Sequence, residues 1–263
     1  MVSLYTTNCN GIAMIQALRH REYRNIVSKG SKRKQGGTAQ KRTGNGRPSV
    51  GEVRIIAGRW RGRKLPVVEV EGLRPTGDRV RETLFNWLQA DVAGAQCLDL
   101  FAGSGALGFE ALSRYATSVT FVEPNKHACQ SLQQSMALLE VDILNEVEIG
   151  AFQQNANDQS LQNTSQGAFL VSGFAQTVLQ QWQSTNVRVK FDLVFIDPPF
   201  EQQSQWTCLD ELSERFLAND AKIYLESPSS QPLPEILPKY CSIIREKRFG
   251  DVTARLVQYK KSL

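Results

Sequence analysis

Two short segments of this sequence combine residue types that can bind and position a polar ligand. The first, residues 96–108 (QCLDLFAGSGALG), is an apolar run that contains Asp99 and leads into a glycine turn. Gly103 and Gly105 allow positive φ and let a ligand approach the backbone closely, because neither carries a Cβ. A helix that begins near Gly105 would direct its free N–H groups at that ligand. The segment therefore predicts a strand, a loop and a helix that together cradle a polar group.

The second segment, residues 191–200 (FDLVFIDPPF), ends a predicted strand with an acid, two prolines and an aromatic residue. The prolines fix φ and remove two backbone donors, so the segment is stiff and its carbonyl groups are free to accept hydrogen bonds. An acid, free carbonyls and an aromatic face suit a planar base that carries an exocyclic amino group. The candidate catalytic residues are Asp197, Pro198, Pro199 and Phe200.

The glycine pattern alone leaves two kinds of ligand open. Gly103, Gly105 and Gly108 satisfy the dinucleotide fingerprint, and Glu123 follows about 20 residues later, where a ribose-binding acid is expected. A nicotinamide-dependent dehydrogenase is therefore a rival interpretation. Asp99 argues against it, because a carboxylate inside the strand would repel a pyrophosphate but would tolerate a cofactor with a cationic sulfonium centre.

Three further stretches, taken together with these two segments, resemble a known enzyme family. They are residues 54–66 (RIIAGRWRGRKLP), 73–88 (LRPTGDRVRETLFNWL) and 105–115 (GALGFEALSRY). Together the five segments resemble the S-adenosylmethionine-dependent amino methyltransferases of nucleobases, and in particular the bacterial 16S rRNA guanine-N2 methyltransferases of the RsmD family. The resemblance runs from about residue 53 to the C-terminus and is thin between residues 142 and 191.

The resemblance implies S-adenosylmethionine as the cofactor and methylation of the exocyclic N2 of one guanine in 16S rRNA. The substrate would be the small ribosomal subunit or its assembly intermediate. Where such enzymes often carry Asp or Asn to read the adenine amino group, this sequence has residues 172–174 (SGF), so Phe174 is the candidate there. The predicted cofactor-binding residues are Asp99, Phe101, Ala102, Gly103, Ser104, Gly105, Glu123, Pro124 and Phe174.

The elements that must position these residues alternate between strands and helices, among them a helix at residues 125–139 and a strand at residues 222–225. This alternation predicts an α/β fold with a mostly parallel sheet that is covered on both faces. A closing pair of strands at residues 241–247 and 252–259 predicts an antiparallel C-terminal edge, as in the seven-stranded, Rossmann-like class I methyltransferase fold that the chain resembles. Sites in such sheets lie beyond the carboxyl ends of the strands, and Asp99, Glu123 and Asp197 fall at or near those ends.

Composition divides the chain into three regions. Residues 1–50 are basic and poor in large apolar groups, so we expect a disordered tail. This tail is either an arm drawn to RNA phosphates, a solvated tail or the product of a misread upstream start. Residues 51–75 predict a basic β-hairpin extension, and residues 76–263 predict the methyltransferase domain, in which residues 150–167 are a Gln-rich loop insertion.

The hairpin turn at residues 58–62 (GRWRG) concentrates basic residues around a tryptophan. Guanidinium groups bind phosphate bidentately and aromatic rings stack on splayed bases, so the cluster suits structured RNA. A merely solvated basic hairpin is the alternative. Two arginines of the next predicted helix could face either the mouth of the cofactor site or solvent. The predicted RNA-binding residues are Arg59, Trp60, Arg61, Arg63, Lys64, Arg79 and Arg81.

Cysteine and hydropathy patterns exclude several other classes of protein. The five cysteines are an odd number without a Cys-x-x-Cys pair, which fits neither a disulfide framework nor a zinc site, and we expect no metal. No apolar run approaches the ~20 residues of a membrane span. We expect a cytoplasmic monomer, with an organelle presequence in the Arg-rich N-terminus as the alternative.

Three other functions remain open from the sequence. An adenine-N6 or guanine-N2 methyltransferase that acts on another RNA or on DNA would carry the same motifs. A non-catalytic RNA-binding assembly factor built on this fold would be expected to have lost Asp197 or the glycine loop, and both are intact. The third is the dehydrogenase considered above.

Overall fold

Most of the chain after the basic tail is described by the computed structural model, which covers residues 50–68, 77–144, 166–184, 189–199, 204–235 and 237–261. These residues belong to one compact unit, residues 47–263. Residues 1–49 of the predicted tail, residues 150–165 of the predicted Gln-rich insertion and Phe200 lie outside the described residues. Within the described ranges, no helix has both the length and the apolar character needed to cross a membrane.

The central element is an eight-stranded sheet, in which the strand order is β5-β6-β4-β3-β7-β8-β10-β9. The strands are β3 (Gln96–Asp99), β4 (Ser118–Glu123), β5 (Asp142–Ile143), β6 (Gly167–Ser172), β7 (Phe191–Ile196), β8 (Leu217–Pro228), β9 (Cys241–Phe249) and β10 (Val252–Tyr259). The pairs from β5 to β8 are parallel, and β10 is antiparallel to both β8 and β9. The predicted mostly parallel sheet with an antiparallel C-terminal edge is confirmed.

The sheet differs from the prediction in two details. It has eight strands instead of seven, because the two-residue strand β5 adds to the edge beside β6. Strand β8 is also much longer than the predicted residues 222–225, because residues 222–228 pair with β10. The extra length carries β8 past the end of its parallel neighbour β7 and adds one residue to the site.

Helices cover both faces of this sheet, as the alternating pattern predicted. They are α1 (Asp78–Trp87), α2 (Ala106–Ser113), α3 (Lys126–Leu139), α4 (Ala175–Ser184) and α5 (Gln205–Phe216). Apolar side chains of α1, α2 and α3 share one buried cluster with alternate residues of the sheet, and those of α4 and α5 share a second cluster with the other face. Burial of these two apolar layers is the main stabilising contribution to the fold.

The basic hairpin consists of β1 (Val50–Arg54) and β2 (Lys64–Val68), which form a separate two-stranded antiparallel sheet. Ile55, Trp60 and Leu65 belong to the same buried cluster as α1, α2 and α3. The hairpin is therefore packed on the helical layer that also contains the glycine-loop helix.

The chain reverses its direction of travel across the sheet at β3. From β3 it proceeds to β4 and β6 on one side, and it then returns to β7 on the other side of β3. Ligands of doubly wound sheets bind at such a switch point, outside the carboxyl ends of the strands. Here the two strands at the switch point, β3 and β7, are those that lead into the glycine loop and the Asp-Pro-Pro segment.

Candidate active site

Polar side chains stand at or near the carboxyl ends of five parallel strands. We call this edge of the sheet the carboxyl edge. They are Asp99 on β3, Glu123 on β4, Ser172 on β6, Asp197 after β7 and Glu226 on β8. Because the strands are parallel, these ends lie at one edge of the sheet. The structure thus brings the three predicted acids, Asp99, Glu123 and Asp197, to a common region and adds Glu226 to them.

The glycine loop needs Gly105 for both conformation and space. Gly105 caps the N-terminus of α2 in the left-handed conformation, with φ 75° and ψ 14°, and only glycine adopts it without strain. A Cβ there would lie 2.5 Å from the Phe109 ring and 2.6 Å from Leu132. Gly108 serves packing instead, because a Cβ at that position would lie 2.3 Å from the Phe121 ring. The third glycine of the fingerprint therefore sets how closely α2 approaches the sheet.

Glu123 is held by backbone N–H groups of the glycine loop and of the segment that follows β4. Its Oε2 accepts a hydrogen bond from the Gly103 N–H at 2.8 Å, and its Oε1 accepts one from the Asn125 N–H at 2.8 Å. Burial raises the pKa of the Glu123 carboxyl, and these two hydrogen bonds partly offset that effect. The carboxylate is thus fixed against the loop, within reach of a ligand that the loop would hold.

Asp99 is buried, with only 2% of its surface exposed, and its Oδ2 accepts a hydrogen bond from the Gly108 N–H at 3.1 Å. Burial, together with the negative charges of Asp197 and Glu123, raises the Asp99 pKa to about 7, although the hydrogen bonds from Gly108 and Phe101 oppose this. The carboxylates of this region therefore repel one another. A cationic ligand would relieve the repulsion and a pyrophosphate would increase it, so the site fits a sulfonium cofactor better than a dinucleotide.

Asp197 directly follows β7 and is half-buried; of the two prolines after it, Pro198 is buried and Pro199 is exposed. Strand β7 is joined to the glycine loop by a hydrogen bond from the Leu100 N–H to the Phe195 carbonyl at 3.1 Å. This bond fixes the relative position of the two predicted chemical segments. Asp197, the acid of the Asp-Pro-Pro segment, therefore lies beside the glycine loop.

The remaining predicted cofactor residues surround this region with different exposures. Ala102, Gly103 and Ser104 are buried in the loop, and Phe101 is half-buried. Pro124 is exposed after β4, and Phe174 is 64% exposed between β6 and α4. The Phe174 ring is therefore available to a planar ligand at the carboxyl edge, where the predicted role needs it.

Glu226 is a site residue that the sequence analysis missed. It is 8% exposed, and its Oε2 accepts a hydrogen bond from the Tyr224 hydroxyl at 2.6 Å. Burial and the charge of Asp197 raise its pKa to about 7, and the Tyr224 hydrogen bond opposes this rise. A signal was present, because Glu226 directly follows the predicted strand at 222–225, just as Asp197 follows its strand.

Two predicted RNA-binding residues are buried, and for them the prediction is wrong. Trp60 is 5% exposed because the turn folds back onto α2, where the Trp60 N–H donates to the Ser113 Oγ at 3.1 Å. Arg81 is 1% exposed and donates to the Asp78 carboxylate at 2.6 Å and to the Arg54 carbonyl at 3.0 Å. Neither side chain can contact RNA in this conformation.

The other predicted RNA-binding residues are exposed, and their role stays a prediction. Arg59 donates to the Gln166 amide oxygen, and Lys64 forms an ion pair with Glu52 at 2.7 Å. Arg61, Arg63 and Arg79 are also exposed. Surface ion pairs of this kind contribute little to stability, so an RNA phosphate can compete for these cations.

Two residues of α2 fix the hairpin to the helix that starts at the glycine loop. The Glu110 carboxylate is fully buried and accepts hydrogen bonds from the Ile56 N–H at 2.7 Å and the Ala57 N–H at 3.0 Å. The Ser113 hydroxyl donates to the Ala57 carbonyl at 2.6 Å, and the Ser113 carbonyl accepts from the Arg59 N–H at 2.8 Å. The basic turn is therefore positioned by α2, the helix that starts at the glycine loop.

Metal ligation has no support in the described residues. They contain no group of three or more His, Cys, Asp or Glu side chains that could hold a metal ion. The cysteines among them, Cys97, Cys129, Cys208 and Cys241, are free thiols.

Known proteins share both this sequence and this fold. Residues 53–171 and 155–258 match the family described as Conserved hypothetical protein 95. The ribosomal RNA small subunit methyltransferase D of Haemophilus influenzae is 43% identical over 209 residues, which are 79% of this chain and 94% of that protein. The protein of the same name from Escherichia coli is 42% identical over 79% of this chain and 90% of its own length.

Structural comparison agrees with these relationships. A solved Escherichia coli structure named as a methyltransferase superposes with a TM-score of 0.62 at 38% identity, covering 80% of this chain and 99% of that one. These comparisons confirm the resemblance predicted from the sequence and the predicted cofactor, S-adenosylmethionine. They do not support the dehydrogenase interpretation. This chain belongs to the ribosomal RNA small subunit methyltransferase D family, and it is an S-adenosylmethionine-dependent methyltransferase.

Proposed function

We propose that this enzyme methylates the exocyclic N2 of a guanine in 16S rRNA, within the small ribosomal subunit or its assembly intermediate. The names of its relatives support the substrate class, since they specify small-subunit ribosomal RNA. The observation that carries the choice of an amino group is the position of Asp197 and Pro198 at the switch point, beside the glycine loop.

The cofactor would bind across the carboxyl edge. Glu123 would accept hydrogen bonds from the ribose hydroxyls, residues 101–105 would surround the amino acid part, and Phe174 would pack against the adenine. S-adenosylmethionine, once bound, would supply the methyl group for the new bond to guanine N2, and the electron pair of the S–CH3 bond would remain on sulfur. The positive sulfonium suits the mutual repulsion of the carboxylates around Asp99.

The chain's own residues would orient and polarise the target amine. The guanine N2 lone pair is delocalised into the ring, so N2 is a poor nucleophile until hydrogen bonds rotate or polarise it. Asp197 and the Pro198 carbonyl would accept from the two N2–H bonds, and Phe200 would stack on the base, a contact typically worth ~1–3 kcal/mol. The proton that N2 loses would pass to water or transiently to Asp197.

The RNA would approach over the exposed basic residues of the hairpin. Arg59, Arg61, Arg63, Lys64 and Arg79 are proposed phosphate contacts, whereas the buried Arg81 and Trp60 support the hairpin from within. A base inside a duplex cannot reach the site, so the target must be unpaired or flipped out at a cost of a few kcal/mol.

Two substitutions separate the proposed roles of the acids. Asp197→Ala should lower the rate of methyl transfer at least about 100-fold while the Kd for S-adenosylmethionine changes only a few-fold. Glu123→Ala should instead weaken cofactor binding first, with Glu123→Gln as the milder control. Single-turnover transfer and calorimetric titration measure the two quantities. A folded Asp197→Ala protein that has lost cofactor affinity would contradict the assignment of Asp197.

A further inference from the structure

Glu226 lies beside Asp197 as a consequence of strand register. In the parallel pair of β7 and β8, Phe195 is opposite Tyr224 and Ile196 is opposite Leu225. Glu226 is the next residue of β8, and Asp197 is the residue that directly follows β7. Extending this register by one step places the two acids opposite each other, and the negative charge of Asp197 acts on Glu226. Side chains of a strand alternate between its two faces, so Glu226 falls on the face that carries Tyr224, and both Tyr224 and Phe195 belong to the cluster under α1, α2 and α3.

The orientation of the Glu226 side chain is fixed by a hydrogen bond from Tyr224. Tyr224 is fully buried two residues earlier on the same strand, and its hydroxyl donates to Glu226 Oε2 at 2.6 Å. A tyrosine has only two side-chain torsions, so this hydrogen bond holds the carboxylate at low entropic cost. In the part of the chain that the structure describes, no hydrogen bond to Glu226 Oε1 is found. One oxygen is therefore held, and the other is available at the carboxyl edge.

The groups that face Glu226 are predominantly acidic. Asp197, directly after β7, is next to it, and Asp99 and Glu123 follow further along the same edge. On the other side, β10 places the uncharged Ala254 opposite Glu226.

Arg255, the nearest cation along β10, does not neutralise Glu226. It is opposite Leu225 in the register and donates to the Ser227 Oγ at 2.7 Å and to the Glu246 carboxylate at 2.6 Å. Among the described residues, no Lys, Arg or His forms a salt bridge with Glu226 within 4.0 Å. Within the described ranges, no salt bridge therefore neutralises the charge of Glu226, and this charge lies beside Asp197.

We propose that Glu226 is a positioning residue for methyl transfer, whose ionised carboxylate raises the proton affinity of Asp197 and so strengthens Asp197 as a hydrogen-bond acceptor for the guanine N2–H. A nearby like charge favours the protonated form of a carboxylate, and a more basic carboxylate accepts hydrogen bonds more strongly. The inference rests on the role proposed for Asp197. It adds that transfer requires Glu226 in its ionised form.

The sign of the pH dependence follows from this requirement. The Glu226 pKa is raised to about 7 by burial and by Asp197, so the fraction of ionised Glu226 increases as the pH rises through that value. The transfer rate should increase over the same interval. Loss of the Tyr224 hydroxyl removes a hydrogen bond that lowers the Glu226 pKa, so Tyr224→Phe should move the rise in rate to higher pH.

Single-turnover methyl transfer to 30S particles, with saturating S-adenosylmethionine and from about pH 5.5 to about pH 8.5, tests this inference. Glu226→Gln mimics the protonated state, so it should lose the rise near pH 7 and be slower at high pH by roughly three- to tenfold. Its KM for S-adenosylmethionine should stay close to wild type, and its melting temperature near pH 7 and above should not fall below that of wild type. Glu82→Gln, which alters an exposed acid of α1, should retain the wild-type profile.

Asp99 needs its own variant, because its pKa is also raised to about 7. Asp99→Asn should affect mainly the KM for the cofactor, since Asp99 bonds to the glycine-loop helix through Gly108. The inference is overturned if Glu226→Gln keeps the wild-type rate and profile, if Asp99→Asn alone removes the rise, or if Tyr224→Phe moves it to lower pH. If the wild type transfers no methyl group at any pH, the proposed function itself fails, which is a distinguishable result.

Discussion

At the scale of single residues, Asp99 shows how a charge can be placed inside an apolar strand. The glycine loop brings the first turn of α2 back to the end of β3, so the Gly108 N–H can donate to one carboxylate oxygen of Asp99. Burial still disfavours the ionised form of the Asp99 carboxyl, so its pKa is raised to about 7. A cationic ligand near this carboxylate would favour its ionised form. Cofactor binding should therefore be linked to proton release.

This linkage between binding and proton release should differ between S-adenosylmethionine and its product, S-adenosylhomocysteine. S-adenosylmethionine carries a sulfonium charge that S-adenosylhomocysteine lacks, so S-adenosylmethionine should release more protons from Asp99 on binding near pH 7. Its Kd should decrease relative to that of S-adenosylhomocysteine as the pH rises through about 7. Calorimetric titration in buffers of different ionisation enthalpy measures the protons released. Equal proton release with both ligands, or an unchanged difference in Asp99→Asn, would contradict this role.

Three of the four acids of the site were predicted from sequence, whereas the burial of two predicted RNA-binding residues was not. Asp99, Glu123 and Asp197 each stand at a strand end, and parallel strands bring such ends together. Trp60 and Arg81 occur in a basic segment, but the contacts that bury them come from Ser113 and from the Arg54 carbonyl. Tertiary contacts of this kind leave no periodic signal in the local sequence.

At the scale of elements, the contact between the hairpin and α2 depends on a glycine. Gly58 has a φ of +82°, and a Cβ there would lie 1.9 Å from the Ser113 carbonyl oxygen. That oxygen also accepts the hydrogen bond from the Arg59 N–H. The backbones approach so closely that no larger residue fits.

Gly62 is a matched control for this contact. It has a similar φ of +83°, but nothing lies within 4 Å of its Cβ position. Gly62→Ala should cost about 1 kcal/mol from backbone conformation alone, whereas Gly58→Ala should cost at least about 3 kcal/mol, since it also displaces the hairpin from α2. Urea unfolding measures both values. Equal costs for the two substitutions would show that the hairpin is not fixed at this point.

Element types were predicted well, and their bounds less so. The helix predicted at 125–139 begins at Lys126, because the Asn125 side chain caps it by accepting from the His127 and Ala128 N–H groups. Strand β8 extends beyond the predicted 222–225, since pairing with β10 supports residues whose own pattern is not strand-like. Long-range pairing of this kind overrides local preference.

At the scale of the whole molecule, the buried acids should make stability depend on pH. The pKa values of Asp99 and Glu226 are both raised to about 7, whereas unfolded carboxyls titrate near pH 4. The folded state therefore binds more protons between these values, and the free energy of unfolding should fall as the pH rises from about 4 to about 7. Asp220 acts in the opposite sense, but its lowered pKa confines it to lower pH.

Urea unfolding of the ligand-free protein across this interval checks the prediction. The double variant Asp99→Asn, Glu226→Gln should show a flatter profile, because both titrating groups are removed. A free energy of unfolding that rises from about pH 4 to about pH 7 would contradict the assignment.

Affinity for RNA should depend on the exposed cations of the hairpin and not on total charge. Substituting Arg61 or Arg63 with alanine should weaken RNA binding and reduce the slope of log K against log salt by about one for each phosphate that is no longer bound. Arg245→Ala, on the edge strand β9 at the far end of the sheet order, is the control. Filter binding at several salt concentrations gives the slopes. Identical slopes for all three variants would rule out the hairpin as the phosphate-binding surface.

The most direct test of the central proposal is transfer of tritiated methyl groups from S-adenosylmethionine to 30S particles from cells that lack this protein, followed by digestion to nucleosides. We predict label in N2-methylguanosine from 16S rRNA, with none when Asp197→Ala replaces the wild type. Label in N6-methyladenosine would contradict the proposed base. Absence of label in 30S particles, together with transfer to 50S particles, tRNA or DNA, would contradict the proposed substrate.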